Sequence, residues 1–343
     1  MAMQDQMAAD ETKPTAAEWS KTLMRYRSPS DGRAVLELAL TLLPLAGLVV
    51  AMYFALQVSA WLALLLAVPT AVFLVRLFMI QHDCGHGSFF RTGALNDWIG
   101  RIAGVFTMTP YSYWKRTHAT HHASSGCLEK RGQGDIDTLT VAEYQAKGVW
   151  GRLRYRLYRH PIVIFGVGPI YLFLLQHRLP VGLMREGLKP WLSVMGTNLG
   201  IAGVVTALVL FLGVETVLFI YLPVIAIAGA IGVWLFFIQH QFRGTVWAHE
   251  GEWNWHEAAL NGSSFYDLPA GLRWLTANIG IHHVHHLASR IPFYRLNTVL
   301  KDFPQLRSYG RLTIKDSLSC VRLALWDETK HRMVTFREAA AAA

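Results

Sequence analysis

WLALLLAVPTAVFLVRLFMI at residues 61–80, followed after Gln81 by HDCGH at 82–86, decides how this chain is built. About 20 residues suffice to cross a hydrocarbon core of about 30 Å as a helix, and this stretch carries one charge, Arg76. Two histidines four apart follow at once, and on a helix they point the same way. Histidine is the commonest neutral metal ligand near pH 7, and an imidazole is costly to bury without a partner. The stretch therefore predicts a spanning helix with metal ligands directly after it.

Two further clusters follow, HATHH at 118–122 and HHVHH at 282–286. On helices, His118, His121 and His122 share a face, as do His282, His285 and His286, while His283 is rotated about 100° away. With His82 and His86 these make eight candidate ligands, and His240 in FIQHQF is a ninth. A structural zinc uses about four ligands and a catalytic one about three. Eight or nine nitrogens suit two ions. Nearly all-imidazole sites accept Zn, Cu, Fe or Ni, so the donors leave the metal open.

The chain is 52% hydrophobic and 16% charged, against roughly 25% charged in an ordinary soluble domain. Long apolar runs account for the difference and imply an integral membrane protein. Four stretches are long enough to span: 37–57, 61–80, 192–213 and 216–238. The connectors near Val58–Ala60 and Gly213–Glu215 carry no Lys or Arg, whereas the N-terminal segment has Lys13, Lys21, Arg25, Arg27 and Arg33 and the 115–159 region is basic. Two tight hairpins entering from the cytoplasmic face follow. The stretch PIVIFGVGPIYLFLL at 161–175 is short, broken by Gly166, Gly168 and Pro169, and reads as interfacial or re-entrant. Crossing there would put the third histidine cluster on the opposite side from the first two. Arg76 is expected to snorkel to the basic surface. The first thirty residues are polar and mixed in charge and lack a signal-peptide pattern, so the first span should direct insertion.

The expected fold is all-α: four transmembrane helices in two hairpins and a cytoplasmic helical domain carrying the histidine clusters. The segments are an N-terminal cytoplasmic piece (1–33), a first hairpin (34–80), a cytoplasmic region with two clusters (81–191), a second hairpin (192–239) and a C-terminal cytoplasmic region with the third (240–343). No solenoid repeat is visible, and the only low-complexity run is the terminal alanines after Glu338. The net charge of +9 comes without a basic repeat or stacking motif, which argues against nucleic acid. Cys84, Cys127 and Cys320 form no CxxC pair or disulfide framework. Cys84 is expected to be a packed thiol.

These strings resemble the membrane fatty acid desaturases of the histidine-box superfamily. The likeness runs from HDCGHGSFF through PYSYWKRTHATHHASSG and RGQGDIDTLTVAEY to NIGIHHVHHLASRIPFYRL, and is most like the bacterial and cyanobacterial omega-6 and omega-3 type enzymes. It implies two irons held by the box histidines, O2 as co-substrate, and removal of two hydrogens from adjacent methylenes of a lipid-linked or thioester-linked acyl chain. His82, His86, His118, His121, His122, His282, His285 and His286 would then be catalytic, with His240 the extra metal ligand. Some relatives have an Asn four residues before that last histidine; here it is Phe236, so a water-mediated contact is not carried over. The resemblance also implies an active site on the cytoplasmic face of a bacterial inner membrane. A hydroxylase or ketolase of the same superfamily is the alternative, and a metal transporter or sensor a remote one, disfavoured because the clusters lie outside the spans.

Breaking an unactivated C–H bond needs a strong oxidant that a cofactor supplies while the protein positions the chain. Trp98, Tyr111, Tyr113, Trp114 and Trp274 are candidates to line an acyl tunnel, and Asp83, Asp135 and Asp137 to accept the second ring N–H of ligating histidines. Asn278 could orient a ligand or cap a helix. His249 and His256 are expected to be interfacial or near substrate, and His160, His177, His283 and His331 at the surface. No GxGxxG, HPGG or cysteine cluster occurs, so electrons should come from a separate carrier such as a ferredoxin and its reductase, steered by the basic surface.

Overall fold

The computed structural model describes residues 14–132 and 134–341. Lys13 and the last two alanines, used in the sequence reading, lie outside the described residues. The helices, in chain order, are α1 (Ala16–Leu23), α2 (Asp31–Val58), α3 (Ala60–His86), α4 (Gly93–Phe106), α5 (Tyr111–Ser124), α6 (Val141–Ala146), α7 (Val149–Tyr158), α8 (Gly168–Leu174), α9 (Leu188–Leu212), α10 (Val214–His240), α11 (Trp255–Asn261), α12 (Ala270–Leu275), α13 (His282–Leu287), α14 (Phe293–Asp302), α15 (Ile314–Cys320) and α16 (Phe336–Ala341). Among the described residues there are five short strands: β1 (Leu139–Thr140), β2 (Phe265–Tyr266), β3 (Arg311–Leu312), β4 (Leu323–Asp327) and β5 (Arg332–Thr335). They form a three-stranded sheet ordered β1-β4-β5 and a parallel β2-β3 pair.

Helices α2, α3, α9 and α10 are long and apolar enough to cross a membrane. Each pair turns back through a single residue, Ser59 or Gly213. Each helix also outruns its apolar stretch, and this positions the site. Nothing after Ile80 breaks a helix until Gly87, which closes α3 in the left-handed conformation (φ 65°) that glycine adopts without a side-chain clash. His82 and His86 therefore ride on the last turns of a spanning helix. In the same way α10 runs on to His240. The ends of α3 and α10 meet, so both hairpins open toward one side. At the same open end of the first hairpin, Ser30 caps α2 by accepting the Arg33 amide.

Arg76 does not snorkel. It is wholly buried, paired with the equally buried Glu37 of α2. Its Nε donates to Thr41 Oγ1 at 3.1 Å and its guanidinium lies 4.1 Å over the Trp274 ring. It also donates to the Trp274 carbonyl, and Arg33 holds the outer Glu37 oxygen at 2.6 Å. A carboxylate one helix away gives the arginine a partner inside the bundle, which removes the need to reach the surface. Since Trp274 belongs to α12, the pair also pins the segment before the third histidine cluster onto α3.

The 161–175 stretch forms a π-helical turn (Val163–Val167) leading into α8, and the 163–178 segment is bent 54° from α7. It packs along the clustered end of α10, with Phe165 5.2 Å from both Trp234 and Phe237. A small second core under the sheet joins Leu139, Tyr144, Tyr155, Leu325 and Val334. All three cysteines are free and buried.

Removing one member of a buried ion pair costs about 3–5 kcal/mol, whereas replacing both with apolar groups is often neutral. Glu37→Gln or Arg76→Met alone should therefore lower the thermal midpoint of the purified protein markedly. The double variant Glu37→Leu/Arg76→Met should recover most of it. Equal midpoints for wild type and both single variants would remove the pair from the stability account.

Candidate metal centre

Nine histidines converge where the two hairpins open. His82, His86, His118, His122 and His285 form one group; His121, His240, His282 and His286 form the other; within each, the ligand atoms lie within 4.8 Å of one another. Helical spacing explains the division. In α5, His118 and His122 stand one turn apart and enter the first group, while His121 enters the second. In α13, His282 and His286 enter the second group and His285 the first. The histidines of each cluster, expected to share one face, do so only broadly: their i+3 member turns far enough to serve the neighbouring group.

The rings meet through Nε2. His118 lies 3.0 Å from His82 and 3.1 Å from both His86 and His122, and His285 lies 3.1 Å from His122. In the second group His240 lies 3.1 Å from His121 and 3.0 Å from His282, which lies 3.0 Å from His286. Burial, with the neighbouring imidazoles adding to it, holds His118, His122, His282, His285 and His286 well below the usual histidine pKa. They are therefore neutral, with a lone pair on one nitrogen. Separations of 3.0–3.1 Å match the edges of a compact coordination polyhedron with metal–nitrogen bonds of about 2.1 Å. The donor set thus fits one metal ion in each group.

Other contacts fix which nitrogen is free. His121 Nδ1–H donates to Asp135, His240 Nδ1–H to the Gly262 carbonyl at 3.2 Å, and His82 Nδ1 lies 3.3 Å from Asp83. Such partners set the tautomer and leave Nε2 for the metal. Asp83 also accepts the Phe293 amide at 2.7 Å, tying the first cluster to the segment after the third. Asp137, expected as a third such acceptor, instead has an exposed side chain. Nδ1 of His122 and of His282 is buried without a partner among the described residues.

The aromatic candidates divide. Trp114 stacks on His118 with centroids 4.5 Å apart, and a Cβ on Gly85 would approach it to 3.0 Å, so the glycine inside HDCGH makes room for the indole. Tyr111 is buried and donates to the Cys84 carbonyl at 2.8 Å, Tyr113 donates to the Val181 carbonyl, and Trp274 covers Arg76. Trp98 is 62% exposed and takes no part. Phe236 lies against both His121 and His240, at 5.2 and 5.5 Å, filling the second group's flank with an apolar ring.

The structure corrects the expectations for His283, His177 and Asn278. His283 is not at the surface: it is fully buried, with Nε2 2.9 Å from the Leu306 carbonyl, because the face opposite the clusters packs on the C-terminal region. His177 is buried too, beneath Tyr113 and Phe173. His249 is exposed and bridges Glu129 and Glu328 at 2.5 and 2.9 Å. Asn278 neither orients a ligand nor caps α13; with φ 57° it makes a turn, donating to the Phe293 carbonyl and accepting from Asn297. Two supports have no strong signal in the sequence. Trp253 and Trp255 donate to the Ser125 and His122 carbonyls at 3.0 and 2.9 Å, satisfying the C-terminal end of α5. Only the clustering of tryptophans in WAHEGEWNW hints at them.

Two imidazole groups at the shared end of two spanning hairpins form a candidate membrane metal site. The chain belongs to the fatty acid desaturase family, whose model matches residues 59–315, and it is an oxidoreductase of lipid metabolism. It is 40% identical to a fatty acid desaturase of Bacillus subtilis over 95% of this chain and 93% of that one. It is 31% identical to a Synechocystis sn-1 acyl-lipid omega-3 desaturase (ferredoxin), covering 68% of this chain and 66% of that one. A Synechocystis sn-1 oleoyl-lipid 12-desaturase is 30% identical over 66% and 64%.

His286→Ala leaves three imidazoles in the second group and should take the metal content from two ions per chain toward one by elemental analysis. His283→Ala should leave two ions while lowering stability by about 1–3 kcal/mol, the usual cost of an unsatisfied buried group. Equal metal loss in both would contradict the division of roles. Asp135→Ala should weaken metal retention about 10–100-fold in a chelator titration.

Proposed function

We propose that the nine clustered histidines hold two iron ions, and that the enzyme desaturates a lipid-linked acyl chain at the cytoplasmic face of a bacterial inner membrane with electrons from a ferredoxin. The observation that carries this reading is the gathering of nine imidazoles into two adjoining groups at the mouth of the bundle. Family membership selects iron from the metals that imidazole accepts, since zinc has no redox chemistry. The two Synechocystis relatives are named for acyl-lipid substrates, and one of them for ferredoxin, which supports those choices here.

The reaction removes one hydrogen from each of two adjacent methylenes, while O2, two electrons and two protons become two waters. When bound, the irons supply the oxidation that an unactivated C–H bond requires. The chain's own residues do the rest. Asp135 and the Gly262 carbonyl hold their histidines in one tautomer, and Trp114, stacked on the face of His118, and Phe236, against His121, shield these rings from water. The basic N-terminal stretch around Lys21, Arg25 and Arg27 precedes α2 at the clustered end, which supports a cytoplasmic site. Since both hairpins open toward one side, the chain between Gly87 and Gly187 starts and finishes there. The 163–178 segment then enters and leaves by the same face.

Expression in a host lacking polyunsaturated lipids should yield fatty acids two mass units lighter than their precursors. Products sixteen units heavier would point to a hydroxylase. The purified, iron-loaded enzyme should be inert with O2 and acyl-lipid alone and turn over once a reduced ferredoxin system is added. High salt should slow it by screening the basic surface. Turnover with a nicotinamide cofactor and no carrier protein would refute the electron route. Reporter fusions after Leu188 and at the C-terminus should both read cytoplasmic; a periplasmic signal at either would require 163–178 to cross.

A further inference from the structure

Helix α7, VWGRLRYRLY, turns its apolar face away from the protein. Val149, Trp150, Leu153 and Leu157 share one side of the helix, and all are exposed, Trp150 at 81%. The roll is fixed from the opposite side. Tyr155 is buried, its hydroxyl donating to the Ala324 carbonyl at 2.7 Å and accepting the Leu139 amide at 3.0 Å. Just beyond the helix, the buried Arg159 donates to Gln241 and to the Leu323 carbonyl, each at 2.8 Å. The apolar strip therefore cannot turn inward. Arg152 flanks it on one side and Arg154 on the other; both are exposed, and neither has a carboxylate partner among the described residues. The helix contains no acidic residue.

The neighbourhood indicates what covers this face. From Arg159 the chain passes through Pro161 and the exposed Ile162 into the bent 163–178 segment, whose Val167 and Tyr171 continue the exposed apolar run. Phe165 in that segment packs on Phe237, one turn before the end of spanning helix α10. This places α7 at the level where α10 leaves the bilayer. An apolar strip bearing Trp, bordered by arginines and continuous with membrane-embedded chain, matches a helix lying in the headgroup layer. Arginine's planar fork suits phosphate oxygens.

We propose that α7 is an in-plane membrane anchor: Trp150, Leu153 and Leu157 sit at the boundary of headgroups and acyl chains, and Arg152 and Arg154 bind the phosphates of anionic phospholipids. The proposal rests on the membrane reading of the spans but not on the reaction. The test uses the full-length protein in nanodiscs of phosphatidylcholine with phosphatidylglycerol. A spin label at Leu153→Cys is compared with one at Glu252→Cys on an exposed loop; the three native cysteines are buried. The label at 153 should be open to O2 and shielded from a water-soluble nickel relaxant, and the label at 252 the reverse. Nickel access at 153 equal to that at 252 would overturn the proposal and leave the face to a soluble partner. In a second arm, lipid retained by the purified protein is counted by mass spectrometry. Wild type should enrich phosphatidylglycerol over phosphatidylcholine, and Arg152→Gln/Arg154→Gln should lose that enrichment several-fold, with a ceiling of roughly fivefold for each arginine. Unchanged enrichment would also overturn it. Neither readout uses turnover, so a failure here is distinguishable from a failure of the desaturase assignment.

Discussion

Seven Nε2–Nε2 contacts of 3.0–3.1 Å link nine imidazoles at the mouth of this bundle. With Nδ1 of His121 and His240 committed to Asp135 and the Gly262 carbonyl, Nε2 lone pairs are turned toward neighbouring rings in a dry site, an arrangement that a cation in each group would satisfy. The rest of the architecture serves that constraint. Two spanning helices end on clustered histidines, α3 on His82 and His86 and α10 on His240, so the membrane hairpins are also the walls of the site. Two short helices, α5 and α13, each supply both groups, which fixes the spacing between the two groups through the helical repeat itself.

The third cluster depends most on support from elsewhere. Its helix is only six residues long, has no side-chain N-cap, and follows Ala277 and Asn278 in left-handed backbone, a conformation that costs a non-glycine residue about 1–3 kcal/mol. Contacts to α3 hold it from both flanks: Arg76 to the Trp274 carbonyl before it, and Asp83 to the Phe293 amide after it. The buried Arg76–Glu37 pair thus does more than satisfy two charges inside the spans. It connects the bundle to the segment that presents His282, His285 and His286.

Much of this was legible in the sequence, because apolar length and i, i+3, i+4 histidine spacing are local properties. The four apolar spans and the grouping of His82 with His86 follow from them. What stayed hidden depends on long-range partners. Arg76 looks like a snorkelling residue until Glu37, thirty-nine positions away, is seen beside it. His283 looks like an outward residue because the helix pattern alone cannot say that the C-terminal region covers its back. Asn278 looks like a cap because its true partners, Phe293 and Asn297, lie beyond the cluster. The assignment of His121 and His285, the i+3 members of their clusters, to the group opposite their neighbours needs the crossing angles of α3, α5, α10 and α13, which no single stretch encodes. The outward Trp150 of α7 can be placed only once Tyr155 is known to face inward.

The central claim is that helical spacing sorts nine histidines into two separate metal positions. Anomalous diffraction at the iron edge from crystals of the iron-loaded protein tests it most directly. The account predicts two peaks, one enclosed by His82, His86, His118, His122 and His285 and the other by His121, His240, His282 and His286. A single peak shared by the two groups, or a peak in one group only at full iron loading, would contradict it.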